Sequence, residues 1–302
     1  MTPASFVGVD WGTSSFRLWA LTDHGHILAA SRGPYGMAQL KKDDYASVLN
    51  NSLDDLGVDA SVPVIICGMA GAAQGWHEAP YCSAPAHLHQ LGVDAVRVPG
   101  VNRDVRILPG VKQQHPANVM RGEETQIAGL LHSHPDFLGT VCMPGTHTKW
   151  VTIQNQSIVD FETCMTGEQF ALLSSQSVLS HSMSSTEWDD NAFLDGVRET
   201  LAQPDAVARR LFSIRAETLV GTQTAAQARA RLSGLLIGQE LAATRPYWRD
   251  QCVTLIGEPD LCALYAIAFA SCDARSHTMT GESMTIAGLV SAYTVNKDTT
   301  GD

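Results

Sequence analysis

The residues most able to do chemistry concentrate near the start of the chain, in "VGVDWGTSSFRLWAL", Val7 to Leu21. Asp10, Gly12, Thr13, Ser14 and Ser15 stand there between two runs of strand-forming residues. A hairpin turn needs small residues, but it needs neither a carboxylate nor three hydroxyls. A turn of Gly, Thr and Ser offers several N–H groups and hydroxyls to one anion, because Gly lets the backbone approach closely. A second such turn, Gly145-Thr146-His147-Thr148 in "VCMPGTHTKWV", follows about half a chain later between two similar runs and lacks the Asp. Two turns facing each other would clamp a polyphosphate. Asp10, at a strand end, would hold Mg2+, which keeps most of its waters and takes one or two carboxylates. Taken alone, either turn is also explained as a plain hairpin. A third match, "GTQT" at 221–224, opens a helix instead of a second strand and is set aside.

Hairpins and helices must carry these turns. "FVGVD", "SFRLWAL" and "ILAASR" are short and rich in β-formers, Asp43 to Leu56 has helical spacing, and "VPVIICG" is a buried strand. Strands at "AVRVP" and "VRIL" follow, then a helix from near Glu123 through "TQIAGLL" that His134-Pro135 ends. The second half repeats the theme. The strands "GTVCMPGTHTKWVTI" and "SIVDFETCM" lead into helices over 168–178, 192–201 and 225–243, a buried strand "CVTLIG", and helices over 261–270 and 283–293. The expected division is an N-terminal domain over 1–135 and a C-terminal domain over 136–302, with the last helix packing at the hinge.

Composition narrows the partners. The chain has 302 residues and a formal charge of -11, and no basic run exceeds the pairs Lys41-Lys42 and Arg209-Arg210. Neither nucleic acid nor an anionic membrane fits that balance, whereas a small ligand does. No signal-like start and no bilayer-length apolar run is present, so a cytoplasmic protein is expected. Seven cysteines without a CxxC give no disulfide framework and no zinc pattern, and "HLH" and "HSH" lack further ligands at suitable spacing. GxxxxGK[ST] and GxGxxG are both absent, so a nucleotide would be held by other means.

The two turns, "DWGTSSFRLW" and "PGTHTKW", resemble the phosphate 1 and phosphate 2 loops of the actin, sugar kinase and heat-shock ATPase superfamily. Within it, "GMAGAAQGWHEAPY" (68–81), "VMRGEETQIAGLL" (119–131), "MTGEQF" (165–170) and "LSGLLIGQEL" (232–241) are similar to the 2-dehydro-3-deoxygalactonokinases over nearly the whole chain. Asn118 stands where that family's pattern often has Asp, so no catalytic role is expected of it.

The resemblance implies an α/β fold of two ribonuclease-H-like (actin/hexokinase-type) domains with an interdomain active-site cleft. It also implies ATP-dependent phosphorylation of 2-dehydro-3-deoxy-D-galactonate at its terminal hydroxyl, with ATP and Mg2+ as cofactors. Asp10 would organise the metal. Gly12, Thr13, Ser14, Gly145 and Thr146 would hold phosphates, Lys149 or Arg17 would neutralise charge, and Gly257, before a strand-turn-helix, would meet adenosine. Glu123 is the expected base with Glu124 as runner-up, although both also complement a helix N-terminus. Gln74, Trp76, His77, Glu78 and Tyr81 form the expected sugar-acid loop, with a surface turn over packed aromatics as the alternative. Arg121 and Arg17 are candidates for the substrate carboxylate. A homodimer is compatible with the sequence. The rival readings are a kinase for the gluconate epimer or another sugar acid, a nucleotide or polyphosphate hydrolase, and a nucleotide-dependent regulator.

Overall fold

The structure, a computed structural model, describes residues 3–300. Its elements begin with strands β1 (Phe6–Trp11), β2 (Phe16–Leu21) and β3 (Ile27–Gly33), helix α1 (Asp44–Asp55) and strand β4 (Val64–Gly68). Short pieces follow: β5 (Tyr81–Ser83), β6 (Ala86–His87), α2 (Gln90–Val93), β7 (Val96–Arg97), β8 (Val105–Ile107), β9 (Gly110–Gln114) and β10 (Ala117–Met120). Helix α3 (Glu123–Ser133) precedes β11 (Gly139–Met143), β12 (Thr148–Gln154) and β13 (Ser157–Cys164). Helices α4 (Thr166–Gln176), α5 (Asp190–Ala202), α6 (Val207–Val220), α7 (Ala225–Ala243) and α8 (Arg245–Trp248) come next. The chain closes with β14 (Cys252–Gly257), α9 (Pro259–Ala270), β15 (Arg275–Thr280) and α10 (Gly281–Thr300).

Two compact units emerge. The first comprises Met1–Leu138, Ile153–Asp160 and Gly281–Asp302. Its main sheet has the order β3-β2-β1-β4-β8-β7. β1, β2 and β3 pair antiparallel, and β4 and β8 join in parallel. Side chains alternate across a strand. Val7, Val9 and Trp11 of β1 accordingly enter one core with Tyr45, Leu49 and Leu53 of α1. Phe6 faces the other side, with Trp19, Leu21 and Cys67, where Leu289, Val290 and Ala292 of α10 cover it. The last helix thus clusters with the first unit, although it lies within the expected 136–302 domain; its apolar face matches this sheet.

α10 lies directly on α3. A Cβ at Gly129 would run into the Met284 carbonyl oxygen, and one at Gly288 into that of Thr125. Backbone meets backbone there, which only glycine permits.

The second unit comprises Gly139–Thr152 and Phe161–Thr280. Its strands run β15-β14-β11-β12-β13, with β11, β14 and β15 parallel. Trp150, Leu255, Tyr265 and Phe269 form its core with Phe193 and Val197 of α5. A second cluster gathers Leu179, Ile214, Leu232 and Leu235. β15 and α6 are not legible in the sequence. β15 is "RSHTMT", with no buried position, and α6 exposes Phe212, Leu219 and Val220, which blurs its apolar period. Among the described residues no helix is long and apolar enough to cross a membrane.

Gly288→Ala tests the helix crossing. Helix propensity alone would stabilise by about 1 kcal/mol, whereas overpacking costs roughly 1–3 kcal/mol. A net loss in urea denaturation is expected; a gain would show that the helices do not touch.

Candidate active site

Pairing register in the first unit assembles a row of functional side chains. Arg17 stands opposite Asp10 in the antiparallel β1–β2 pair, and Cys67 is its partner in the parallel β1–β4 pair. Arg17 Nη2 donates to Asp10 Oδ2 at 2.6 Å. Burial raises the Asp10 carboxyl above its ordinary range and the Arg17 charge pulls it back, while Glu123 adds a smaller upward push. Glu123 therefore lies close enough for its charge to be felt at Asp10.

Glu123 and Glu124 open α3, and both fold back onto the chain that enters it. Glu123 Oε2 accepts from the Arg121 N–H at 3.0 Å. Both Glu124 oxygens accept from the Gly122 N–H at 2.8 Å, and Thr125 Oγ1 donates to Glu124 Oε1 at 3.3 Å. Such bonds suit the unsatisfied donors of a helix start. The two carboxylates differ in access. Glu124 is 1 % exposed and Glu123 is half-buried. Burial, then the charge of Glu123, pushes Glu124 up to about 7 against the pull of the Gly122 N–H and Arg121.

The turn between β1 and β2 is closed by Gly12 N–H donating to Ser15 O at 2.9 Å, and it leaves Thr13, Ser14 and Ser15 exposed. A later segment props it from behind. Met37 N donates to Gly12 O at 3.0 Å and Ala38 N to Thr13 O at 2.9 Å. A Cβ at Gly36 would collide with the Ser14 backbone.

The second unit repeats this device. Thr146 and His147 are exposed in the turn between β11 and β12, and the start of α4 braces them. Glu168 N donates to Thr146 O at 3.0 Å, and His147 Nε2 lies 2.6 Å from Glu168 Oε2. Gly167 lies against the Gly145 carbonyl with no room for a Cβ. Lys149 is buried in β12. Gly257 ends β14 beside this turn, where a Cβ would stand 3.2 Å from Pro144 O.

The loop expected to face a sugar acid divides. Trp76 is 7 % exposed and belongs to the first unit's core, its ring centroid 5.9 Å from Tyr45 and 6.0 Å from Trp11. Its indole therefore supports the loop from below. Gln74 and Glu78 are exposed, and His77 and Tyr81 are half-buried. The Tyr81 ring carries the Arg121 guanidinium at 4.3 Å. Arg121 is 9 % exposed, and its Nη2 donates to Ala79 O at 2.8 Å. Its buried Nε and Nη1 find no hydrogen-bond partner among the described residues.

Asp10, Arg17, Glu123 and Glu124 are thus brought together, as are Arg121 and Tyr81. In the second unit Gly145, Thr146 and Gly257 gather. Sequence reasoning missed the braces at Gly36–Ala38 and Gly167–Glu168, although "RGPYG" and "MTGEQF" carry the glycines that mark them. No group of three His, Cys, Asp or Glu that could hold a metal occurs among the described residues.

A model of the 2-keto-3-deoxy-galactonokinase family matches residues 10–292. The chain belongs to this family. An Escherichia coli protein named 2-dehydro-3-deoxygalactonokinase is 35% identical over 289 residues, covering 95% of this chain and 96% of its own. A Rhizobium meliloti relative whose name assigns it the same activity is 40% identical over 298 residues, covering 96% and 97%. A Sinorhizobium meliloti crystal structure with that activity in its name superposes with a TM-score of 0.90 at 38% identity, over 98% of this chain and all of that one. The family fold extends to an activator of 2-hydroxyisocaproyl-CoA dehydratase from Clostridium difficile, solved with bound ADPNP, at a TM-score of 0.53 and 12% identity. The fold is that of the actin/hexokinase-like ATPases and sugar kinases, as the two turns led one to expect.

Glu124 gives this family member a pH signature. Its folded value of about 7 exceeds the ordinary 4.5, so between those values the folded state keeps a proton that the unfolded state has released. Stability contributed at this site falls as pH rises through that window, by up to about 3 kcal/mol. Glu124→Gln should flatten the decline in urea midpoints between pH 5 and 7.5; parallel curves for variant and parent would refute the assignment.

Proposed function

We propose that this chain transfers the γ-phosphoryl group of ATP to the terminal hydroxyl of 2-dehydro-3-deoxy-D-galactonate, giving the 6-phosphate. One observation carries the reading beyond family membership. A half-buried carboxylate, Glu123, stands within electrostatic reach of Asp10, and Asp10 lies two residues before an exposed Gly-Thr-Ser turn.

Phosphoryl transfer asks the protein for positioning, charge neutralisation and a base. Gly12, Thr13 and Ser14, with Gly145 and Thr146, hold phosphate oxygens in this reading through N–H groups and hydroxyls. Glu123 accepts the hydroxyl proton while that oxygen bonds the γ-phosphorus and the bond to ADP breaks. Glu124 is too buried for that task. It serves instead by locking the entry of α3. Asp10 fits a Mg2+ ion, which needs only one or two carboxylates and supplies positive charge to the phosphate oxygens when bound. Arg17, already at Asp10, adds a cation to the same place. Lys149 contributes a further positive charge, and Gly257 gives adenosine a surface without a side chain.

Arg121 is the favoured partner of the substrate carboxylate. Buried N–H groups left without partners cost about 1–3 kcal/mol, and an anion would relieve that cost. Tyr81 fixes the guanidinium plane, and His77, Gln74 and Glu78 offer hydrogen bonds to hydroxyls of the sugar acid. Trp76 holds that loop in place.

A coupled ADP-release assay on a panel of 2-keto-3-deoxy sugar acids tests the activity. ADP should form rapidly with the galactonate-derived acid and slowly without an acceptor; equal rates with and without it would indicate a hydrolase. Glu123→Gln should lower kcat by about 10²–10⁴-fold with an unchanged circular dichroism spectrum, and full activity would remove Glu123 as base. Arg121→Lys, which loses the planar fork, should raise the sugar-acid KM at least tenfold and leave that for ATP alone. A Cβ at Gly145 meets nothing within 4 Å. Gly145→Val should therefore fold normally yet weaken ATP, and unaltered ATP kinetics would remove this turn from the site.

A further inference from the structure

A second buried carboxylate lies in the second unit, inside the "LSGLLIGQEL" stretch but on a residue given no role by the sequence. Glu240, on α7, is 4 % exposed. Its Oε1 accepts from Trp150 Nε1 of β12 at 2.9 Å, and its Oε2 from Tyr265 Oη of α9 at 2.9 Å and from Thr166 Oγ1, the first residue of α4. Thr148 Oγ1 lies 3.1 Å from Tyr265 Oη and so joins the same network through that hydroxyl. Burial pushes the Glu240 carboxyl up to about 7, and the bonds from Thr166, Trp150 and Tyr265 pull it back down.

A carboxylate placed in a core is costly unless its lone pairs are filled, and an apolar residue of similar volume would pack without that cost. Here the lone pairs are filled from three separate elements, and two of the contacts bracket one turn. Thr148 is the residue at which the chain leaves the 145–147 turn for β12. Thr166 starts the helix whose next two residues brace that turn, Gly167 against the Gly145 carbonyl and Glu168 on Thr146 O and His147. We infer that Glu240 is a positioning residue for nucleotide binding, tying the exit of the second turn and the helix start beneath it to one fixed point in the core.

This inference rests on the reading that the 145–147 turn holds nucleotide phosphates, and the test separates the two. Thr166→Val keeps the side-chain shape and removes one strut. It should raise the KM for ATP about tenfold, leave that for the sugar acid within twofold, and shift the melting temperature by only a few degrees. Thr166→Ser, which restores the hydroxyl, should return the ATP KM to the parental value. Glu240→Leu should show the same ATP-selective rise; if it does not fold, the Thr166 pair decides. A Thr166→Val enzyme that melts earlier with both KM values unchanged, or with both raised equally, would overturn the positioning role and leave Glu240 a core hydrogen-bond acceptor. Gly145→Val is the companion measurement. If it weakens ATP while Thr166→Val does not, only the Glu240 inference fails; if neither weakens ATP, the phosphate reading fails with it.

Discussion

The contact on which the first unit's chemistry depends is the one between α3 and α10, where glycine meets backbone on both sides. Gly129 lies against the Met284 carbonyl and Gly288 against that of Thr125. Thr125 is only two residues past Glu123, so the crossing fixes the start of α3 as well as its middle. α10 in turn is seated by Leu289, Val290 and Ala292 on the face of the sheet that also carries Cys67, the strand partner of Asp10. The crossing that holds the helix backbone at Glu123 is thereby set by main-chain contact, which has no rotamers to exchange.

A shared construction runs through both units. In each, a strand leads into a Gly-Thr turn, two further strands return, and a glycine beyond them lies directly behind the turn: Gly36 after β3, Gly167 after β13. The braces differ in what they add. Behind the first turn backbone N–H groups reach in, from Met37 and Ala38. Behind the second, the helix start also brings the Glu168 carboxylate to His147. The turn whose leading strand carries Asp10 thus has a plain brace, and the turn whose leading strand, β11, has no acidic residue has one with a carboxylate.

What could be read from the sequence follows from the range of the interactions. The Asp10 turn and the alternation of Val7, Val9 and Trp11 are local, and surplus polarity between strand-like runs exposes them. The start of α3 is local too, since "RGEE" precedes an apolar helical run. Trp76 illustrates the limit: a Gly/Pro-punctuated loop is legible as a loop, but whether its indole meets ligand or core depends on Tyr45 and Trp11, which are far away in the chain. The enclosure of Glu240 was not legible for the same reason. Its "GQEL" context reads as an ordinary polar position on a helix, and only the meeting of β12, α4 and α9 shows that its carboxylate is enclosed. The placement of α10 likewise turns on a fit between two glycines more than a hundred positions apart.

Cys67 completes the row formed by Arg17 and Asp10, and its neighbours decide its reactivity. Burial raises its thiol well above the ordinary range, and the charges of Asp10 and Glu124 raise it further. Oxidation and alkylation proceed through the thiolate, so burial and the neighbouring carboxylates disfavour the reactive form of this sulfur. Cys142 in the second unit is raised likewise by burial and by Glu240. The carboxylates that organise each unit therefore also weigh against thiolate formation in the cysteines beside them.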